Sequence, residues 1–180
     1  MRIVVSGTHA SGKSTLVSDL AAALGFEQLP DPFELVDDDL DPAGAESFGQ
    51  QLVVAADRLV ELPAGADVVA ERGPLDFIAY LEALADLGRP SVGPGVMARL
   101  RVTTADAMAH VDLLVVLPLE ASGGIRVPDD EDPQLREAMD TRLLDLVDDD
   151  VLIGPGTRVV EISGSSDRRL SALLQAVARA

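Results

Sequence analysis

The chain has 180 residues, 47% of them hydrophobic, which is enough to fold around one sizeable core. Its formal net charge of −17 disfavours nucleic acids and anionic membrane surfaces as partners, because both attract basic proteins. The absence of cysteine excludes disulfides and thiolate metal sites. The opening MRIVVSG lacks the layout of a signal peptide. No stretch approaches the roughly 20 apolar residues that a membrane span needs. We therefore expect a cytoplasmic protein.

The first part of the chain predicts a strand, a loop and a helix in direct succession. RIVVS (2–6) is a short β-branched run typical of a buried strand. Apolar residues recur at helical spacing over 14–24, and Gly25 is a natural end for that helix. FEQLP (26–30) predicts a weaker second strand, and the acidic stretch 34–45 predicts a loop.

Strands and helices continue to alternate along the rest of the chain. Further helices are predicted at 47–62, 74–88, 96–110, 134–147 and 167–178. Further strands are predicted at 66–71, 112–119 and 158–162. Such alternation is typical of parallel strands joined by helical crossovers. The sequence therefore predicts a three-layer α/β fold in one domain that spans residues 1–180.

The most specific motif is GTHASGKS (7–14), a G-x-x-x-x-G-K-[ST] phosphate loop between a predicted strand and a predicted helix. Gly7 and Gly12 permit backbone angles that turn successive N–H groups toward an anion, and the helix N-terminus adds positive potential. Lys13 is the only lysine in the chain. Its compact ammonium suits the β- and γ-phosphates, and a planar guanidinium is no equivalent substitute.

We expect ATP and Mg²⁺ as the ligands of this P-loop. The predicted nucleotide-binding residues are Gly7, His9, Ala10, Ser11, Gly12, Lys13, Ser14 and Thr15. The Ser14 hydroxyl is the metal ligand that the loop supplies. His9 is expected to face solvent without a catalytic role.

VVAERG (68–73) places two charged residues at the end of a predicted strand. Ligands of open α/β sheets bind beyond the carboxyl ends of the strands, so Glu71 and Arg72 are predicted to reach the site. Glu71 is the second predicted metal ligand, acting on the hydration shell of Mg²⁺, and Arg72 is predicted to meet phosphate or substrate. The alternative is a surface Glu–Arg ion pair of little consequence.

LPDPF (29–33) carries a candidate general base. Asp31 follows the second predicted strand, where its carboxylate could accept the proton of a substrate hydroxyl. An aspartate before proline is equally common as a turn residue, so both interpretations of Asp31 stay open.

The Gly/Pro/Asp-rich loop at 120–133 and the helix after it predict a lid over about 120–142. Arginines on a closing lid can neutralise the charge that develops on a transferring phosphoryl group, and Arg126 is the predicted one. Arg136 and Arg142 lie on different faces of the following helix, so at most one is expected to point at the site.

In the order of its motifs the sequence resembles the small ATP-dependent kinases of the nucleoside/nucleotide kinase group, and more closely the ribosylnicotinamide-kinase-like ATPases. The resemblance rests on GTHASGKST, the DP after the second strand, ERGPLDFIAY, VDLLVVLPLE, and GGIR before an arginine-bearing helix. It implies a parallel sheet with an arginine-bearing lid. It also implies Mg-ATP as donor and transfer of the γ-phosphoryl group to a hydroxyl or phosphate acceptor.

The resemblance also implies roles for particular residues. Carried over by position, Lys13 and Ser14 hold the phosphates and the metal, and Asp31 matches the base of deoxynucleoside kinases. The matches to their Glu-Arg pair and lid arginine are Glu71, Arg72 and Arg126.

The sequence departs from the deoxynucleoside kinase pattern in two motifs and in its aromatic content. Asp31 stands where a glutamate is usual, and ERG (71–73) replaces ERS. With four phenylalanines, one tyrosine and no tryptophan, the chain has few platforms for base stacking. Candidate pocket residues are Phe33, Phe48, Gln50, Gln51 and Tyr80, with core packing as the expected role of Phe48 and Tyr80.

Other classes of function use the same loop. A nucleotide-binding switch or partner-regulated ATPase needs no small acceptor, and an acidic surface suits a protein partner. The absence of an N-K-x-D run argues against a GTPase. A binding protein that has lost its chemistry is a third alternative.

Two segments carry further alternatives. Arg168 or Arg169, in SGSSDRR (163–169), could stack on the adenine base, and either could equally be an exposed arginine at a helix start. The apolar helix 74–88 could pair with a second copy of itself in a homodimer, or it could pack as an ordinary crossover.

Overall fold

The computed structural model describes residues 1–35, 41–119 and 132–179. In these residues five strands form one parallel sheet in the order β2-β3-β1-β4-β5. The strands are β1 (Arg2–Ser6), β2 (Glu27–Leu29), β3 (Val68–Glu71), β4 (Leu113–Val116) and β5 (Arg158–Glu161). The predicted parallel sheet is confirmed, and the P-loop follows its central strand.

Six α-helices of the described residues flank the sheet. They are α1 (Lys13–Leu24), α2 (Ala45–Glu61), α3 (Pro74–Asp86), α4 (Pro94–Met108), α5 (Pro133–Leu146) and α6 (Ser166–Val177). A short 3-10 helix, Pro32–Leu35, follows β2. The predicted start of α4 at residue 96 was late by two residues, because Pro94 fits the first helical position after Gly93.

Alternate residues of β1 face opposite layers of the fold. Val4 is buried in a cluster with side chains of α2, α3, α4 and α5. Ile3 and Val5 are buried on the other face, in a cluster with side chains of α1 and α6. The period-two alternation of a strand covered on both faces therefore produces the predicted three-layer arrangement.

The apolar character of α3 is explained by packing within the chain. Its buried residues include Leu75, Phe77, Ile78 and Leu81, and they lie in the cluster shared with the neighbouring helices. Because these apolar side chains are buried within the chain, they give no support to pairing through α3, and the homodimer stays a prediction. In the described part of the chain, no helix has the length and apolar character needed to cross a membrane.

Candidate nucleotide and acceptor site

The P-loop connects β1 to α1 and takes positive backbone φ angles at three positions. Gly7 has φ 151°, Ala10 has φ 52° and Gly12 has φ 92°. Gly12 occupies the N-cap position of α1 and makes no side-chain hydrogen bond to the first N–H groups of that helix. A loop of this shape before a helix N-terminus fits a phosphate group.

Lys13 lies inside the P-loop with only 3% of its surface exposed. Its ammonium donates a hydrogen bond of 2.6 Å to the carbonyl of Thr8. Burial, and secondarily the positive charge of Arg72, lower the pKa of Lys13 from 10.5 to about 7, against the opposing effect of nearby carboxylates. The amine is therefore poised to gain full charge when a phosphate approaches.

The two predicted metal ligands lie together. Ser14 Oγ donates a hydrogen bond of 2.8 Å to Glu71 Oε1. The sheet brings them together because Val5, one residue before the end of β1, is paired with Glu71 at the end of β3. A hydroxyl and a carboxylate are oxygen donors of the kind Mg²⁺ uses together with phosphates and waters, so this pair fits the metal.

Arg72 is buried between the predicted base and an aromatic ring. Its Nε lies 3.1 Å from Asp31 Oδ2 in an ion pair without the alignment of a hydrogen bond. Its guanidinium carbon lies 5.8 Å from the centre of the Tyr80 ring. Burial by itself would lower the pKa of Arg72, but Tyr80, Asp31 and two other acidic groups outweigh it, so the pKa is raised.

The backbone of Arg72 is strained. Its φ of 62° places a long side chain in the left-handed region, which only glycine enters freely. Non-glycine residues in such conformations cluster at functional sites, where the surrounding structure holds them. The turn after β3 thus directs Arg72 toward Asp31, and the structure brings these two predicted residues into contact.

The candidate acceptor residues divide into packed and exposed ones. Phe48 and Tyr80 stack on each other with ring centres 4.5 Å apart, and both are buried, as expected from core packing. Gln51 is buried and donates to Ser47 Oγ at 2.9 Å. Phe33 is 50% exposed on the 3-10 helix that follows Asp31.

Of the two arginines on α5, only one reaches the P-loop. Arg136 donates from Nε to the carbonyl of His9 at 2.9 Å and from Nη2 to that of Ala10 at 3.4 Å. Arg142 instead pairs with Asp86 of α3, away from the loop. This contact pattern agrees with the expectation that at most one of them points at the site. Arg126 lies outside the described residues.

Arg169, one of the two candidates for the adenine contact, instead holds the P-loop. It is buried at the start of α6, and its Nη1 donates to the carbonyl of Ser11. Arg168 is exposed on the same turn. His9 is also exposed, as predicted, and its N–H donates to Tyr80 Oη at 3.3 Å.

Asp76 is a buried residue of the site that the sequence reasoning missed. Its Oδ1 accepts from Gly7 N at 2.9 Å, and its Oδ2 accepts from Ser6 Oγ at 2.6 Å and from Gly73 N at 2.9 Å. Burial raises its pKa, although these three hydrogen bonds and Arg72 oppose the rise. The available signal was an aspartate at the third position of a helix that opens with Gly-Pro, a position that favours capping.

The Gly7 N–H therefore donates to a side chain of the protein itself. The sequence reasoning gave Gly7 a place among the groups turned toward the anion, but its amide points at Asp76. A Cβ at Gly7 would approach the carbonyl oxygen of Leu117 to 2.8 Å, in addition to the positive φ. Gly7 thus serves close backbone approach at the start of the loop.

The fold and the loop define a P-loop nucleotide-binding protein of kinase-like architecture. A family model described as an AAA domain matches residues 2–169, and the chain belongs to that family. No curated protein sequence matches the chain.

Solved structures of nucleoside and nucleotide kinases share the fold. Deoxyadenosine kinase from M. mycoides with bound dCTP is 13% identical with a TM-score of 0.71, over 100% of both chains. Thymidylate kinase from Candida albicans is 17% identical with a TM-score of 0.65, over 99% of this chain and 91% of that one. NadR in complex with NR is 21% identical with a TM-score of 0.65, over 99% of this chain and 50% of that one. The predicted kinship with P-loop nucleoside and nucleotide kinases is confirmed at the level of fold.

Proposed function

We propose that the protein is an ATP-dependent kinase that transfers the γ-phosphoryl group to a hydroxyl of a small acceptor such as a nucleoside. The observation that carries the proposal is the contact between Asp31 and Arg72 at the edge of the sheet that also bears the P-loop. A switch protein needs the P-loop and a metal ligand. It has no need of a carboxylate and a buried arginine beside them.

In the proposed reaction the P-loop binds the triphosphate of ATP, with Lys13 beside the β- and γ-phosphates. Ser14 and Glu71 would hold Mg²⁺, which would supply charge neutralisation at the phosphates. Asp31 accepts the proton of the acceptor hydroxyl, whose oxygen forms a bond to the γ-phosphorus. The bond from that phosphorus to the β,γ-bridging oxygen breaks, and ADP leaves.

Arg72 has two supporting tasks in this proposal. Its ion pair orients the Asp31 carboxylate, and its buried charge would stabilise the negative charge that develops on the transferring group. The stacked pair of Phe48 and Tyr80 lies beside that arginine. Because these rings already stack on each other, an acceptor would lie against the edge of the pair and not between the rings.

The test is ADP release from Mg-ATP with a panel of acceptors: deoxynucleosides, nucleoside monophosphates, ribosylnicotinamide and other hydroxyl compounds. Stimulation by a hydroxyl acceptor that is lost in Asp31→Asn supports the proposal. Stimulation that survives in Asp31→Asn contradicts the role of Asp31. ATP binding without stimulation by any acceptor, and hydrolysis that rises with a partner protein, would favour the nucleotide-dependent switch.

A further inference from the structure

Asp76 bridges the two halves of the candidate site. Its carboxylate accepts hydrogen bonds from Gly7 at the start of the P-loop and from Gly73 in the turn after β3. The side chain is completely buried, and its third partner is the hydroxyl of Ser6. One carboxylate thus joins the start of the P-loop to the turn that follows Glu71 and carries Arg72.

We infer that Asp76 is a positioning residue that fixes the turn after β3, with Arg72 and Gly73, relative to the P-loop. This inference rests on the proposed function, because it assigns Asp76 to the alignment of the donor and acceptor sides of that same reaction. A buried carboxylate is costly, and burial without a task would favour a neutral residue. Three donors converging on one side chain compensate that cost and leave its geometry little freedom.

The charges around Asp76 agree with this role. Arg72 lies on the same turn, and Lys13 lies in the P-loop, and each interacts electrostatically with Asp76. The carboxylate therefore faces a cation from each of the two segments that it joins by hydrogen bonds. A shift of either segment would disturb both sets of interactions.

Asp76→Asn removes the bridge with little change of shape. An amide has one oxygen, so it can keep the bond to Gly7 or the bond to Gly73, while its NH₂ group opposes the N–H of the other. Ser6→Ala is the matched control, because it removes one buried hydrogen bond of the same carboxylate and leaves both backbone amides joined.

The first measurement is ATP affinity with and without Mg²⁺, together with kcat and KM. In Asp76→Asn we expect the gain in ATP affinity from Mg²⁺ to fall by about 10–100-fold, since the turn that directly follows Glu71 is no longer joined to the start of the P-loop. We expect kcat to fall about 100-fold with a smaller change in KM, the pattern of misalignment. Ser6→Ala should retain the gain from Mg²⁺. A wild-type gain from Mg²⁺ and a wild-type kcat in Asp76→Asn would overturn the inference.

The second measurement needs no variant and no activity. One carboxylate accepts from both Gly7 and Gly73, so the amide proton signals of these glycines in the wild-type protein should follow a single titration curve on acidification. Separate midpoints, or signals that do not move, would overturn the bridge even if Asp76→Asn fails to fold. Absence of kinase activity in the wild type would contradict the proposed function alone, because the signals and the Mg²⁺ dependence of ATP binding still test the bridge.

Discussion

The hydroxyl of Ser14 donates to Glu71 at 2.8 Å, which joins the first turn of α1 to the end of β3. The two groups come from segments 57 residues apart and meet because β1 and β3 are neighbours in the sheet. Both are oxygen ligands suited to Mg²⁺, and together they would hold the metal.

Glu71→Gln should therefore lower the affinity for Mg²⁺, with little effect on the free energy of unfolding. The amide keeps the size of the side chain but lacks its charge, so the Mg²⁺ concentration for half-maximal ATP binding should rise about 10–100-fold. Glu61→Gln, at the exposed end of α2, is the control and should leave the titration unchanged. An unaltered Mg²⁺ titration in Glu71→Gln would remove Glu71 from the metal site.

Lys13 offers a direct measurement of the charge state of the P-loop. As the only lysine, it gives a single resonance in protein labelled with ¹³C-lysine, and its pKa should be read at about 7 without nucleotide. Phosphate favours the charged amine, so ATP should raise that pKa and proton uptake should accompany binding at pH 8. A midpoint near 10.5 in the free protein would contradict the burial of the amine.

The same shift predicts how stability depends on pH. The pKa of Lys13 is lowered from 10.5 to about 7 on folding, so between these values the unfolded chain binds more protons and stability rises with pH. Lys13→Met should abolish most of that rise in the free energy of unfolding. The chain has no cysteine and one tyrosine, so few other side chains titrate in this range. An equal rise in Lys13→Met would assign it to another group.

Gly73 is required by the close packing of the strained turn. A Cβ at this position would lie 2.8 Å from Cγ1 of Val4, although its φ of −127° is accessible to any residue. This contact explains why glycine stands at position 73. Gly73→Ala should lower the free energy of unfolding by about 1–3 kcal/mol through overpacking.

Val4→Ala provides the partner for a double-mutant cycle on this contact. Because it removes the methyl group that Gly73→Ala would strike, the double variant should be more stable than the sum of the two single effects predicts. Denaturant unfolding measures all four proteins. Additive effects would show that the turn moves aside and that Val4 does not set the size limit.

The sequence was sufficient to predict the architecture because its signals are local. Apolar periodicity and the Pro and Gly residues at helix ends predicted the strands and helices, and the phosphate-loop motif identified the edge of the sheet where the site lies. The positions of Glu71, Arg72 and Asp31 at or after strand ends correctly predicted that they lie at that edge. The catalytic and metal-binding roles of these residues stay predictions.

The sequence was insufficient where a side chain acts on a distant backbone. Arg136 and Arg169 contact P-loop carbonyls 127 and 158 residues away, and no spacing rule reports such contacts. Asp76 read as part of an apolar helix, since a single carboxylate hardly alters the pattern of buried positions around it. These contacts depend on how α3, α5 and α6 pack around the loop, and this becomes visible only in the folded chain.

Arg169 donates to the Ser11 carbonyl, so removing this arginine should lower the affinity of the P-loop for phosphate even where the arginine does not itself contact phosphate. Arg169→Ala removes a charged donor that holds the loop backbone, and we expect ATP and inorganic triphosphate to bind about tenfold more weakly. Arg168→Ala, one residue earlier and exposed, should leave triphosphate binding unchanged. If Arg168 stacks on adenine, its variant weakens ATP alone. Wild-type triphosphate affinity in Arg169→Ala would show that the P-loop keeps its shape without this arginine.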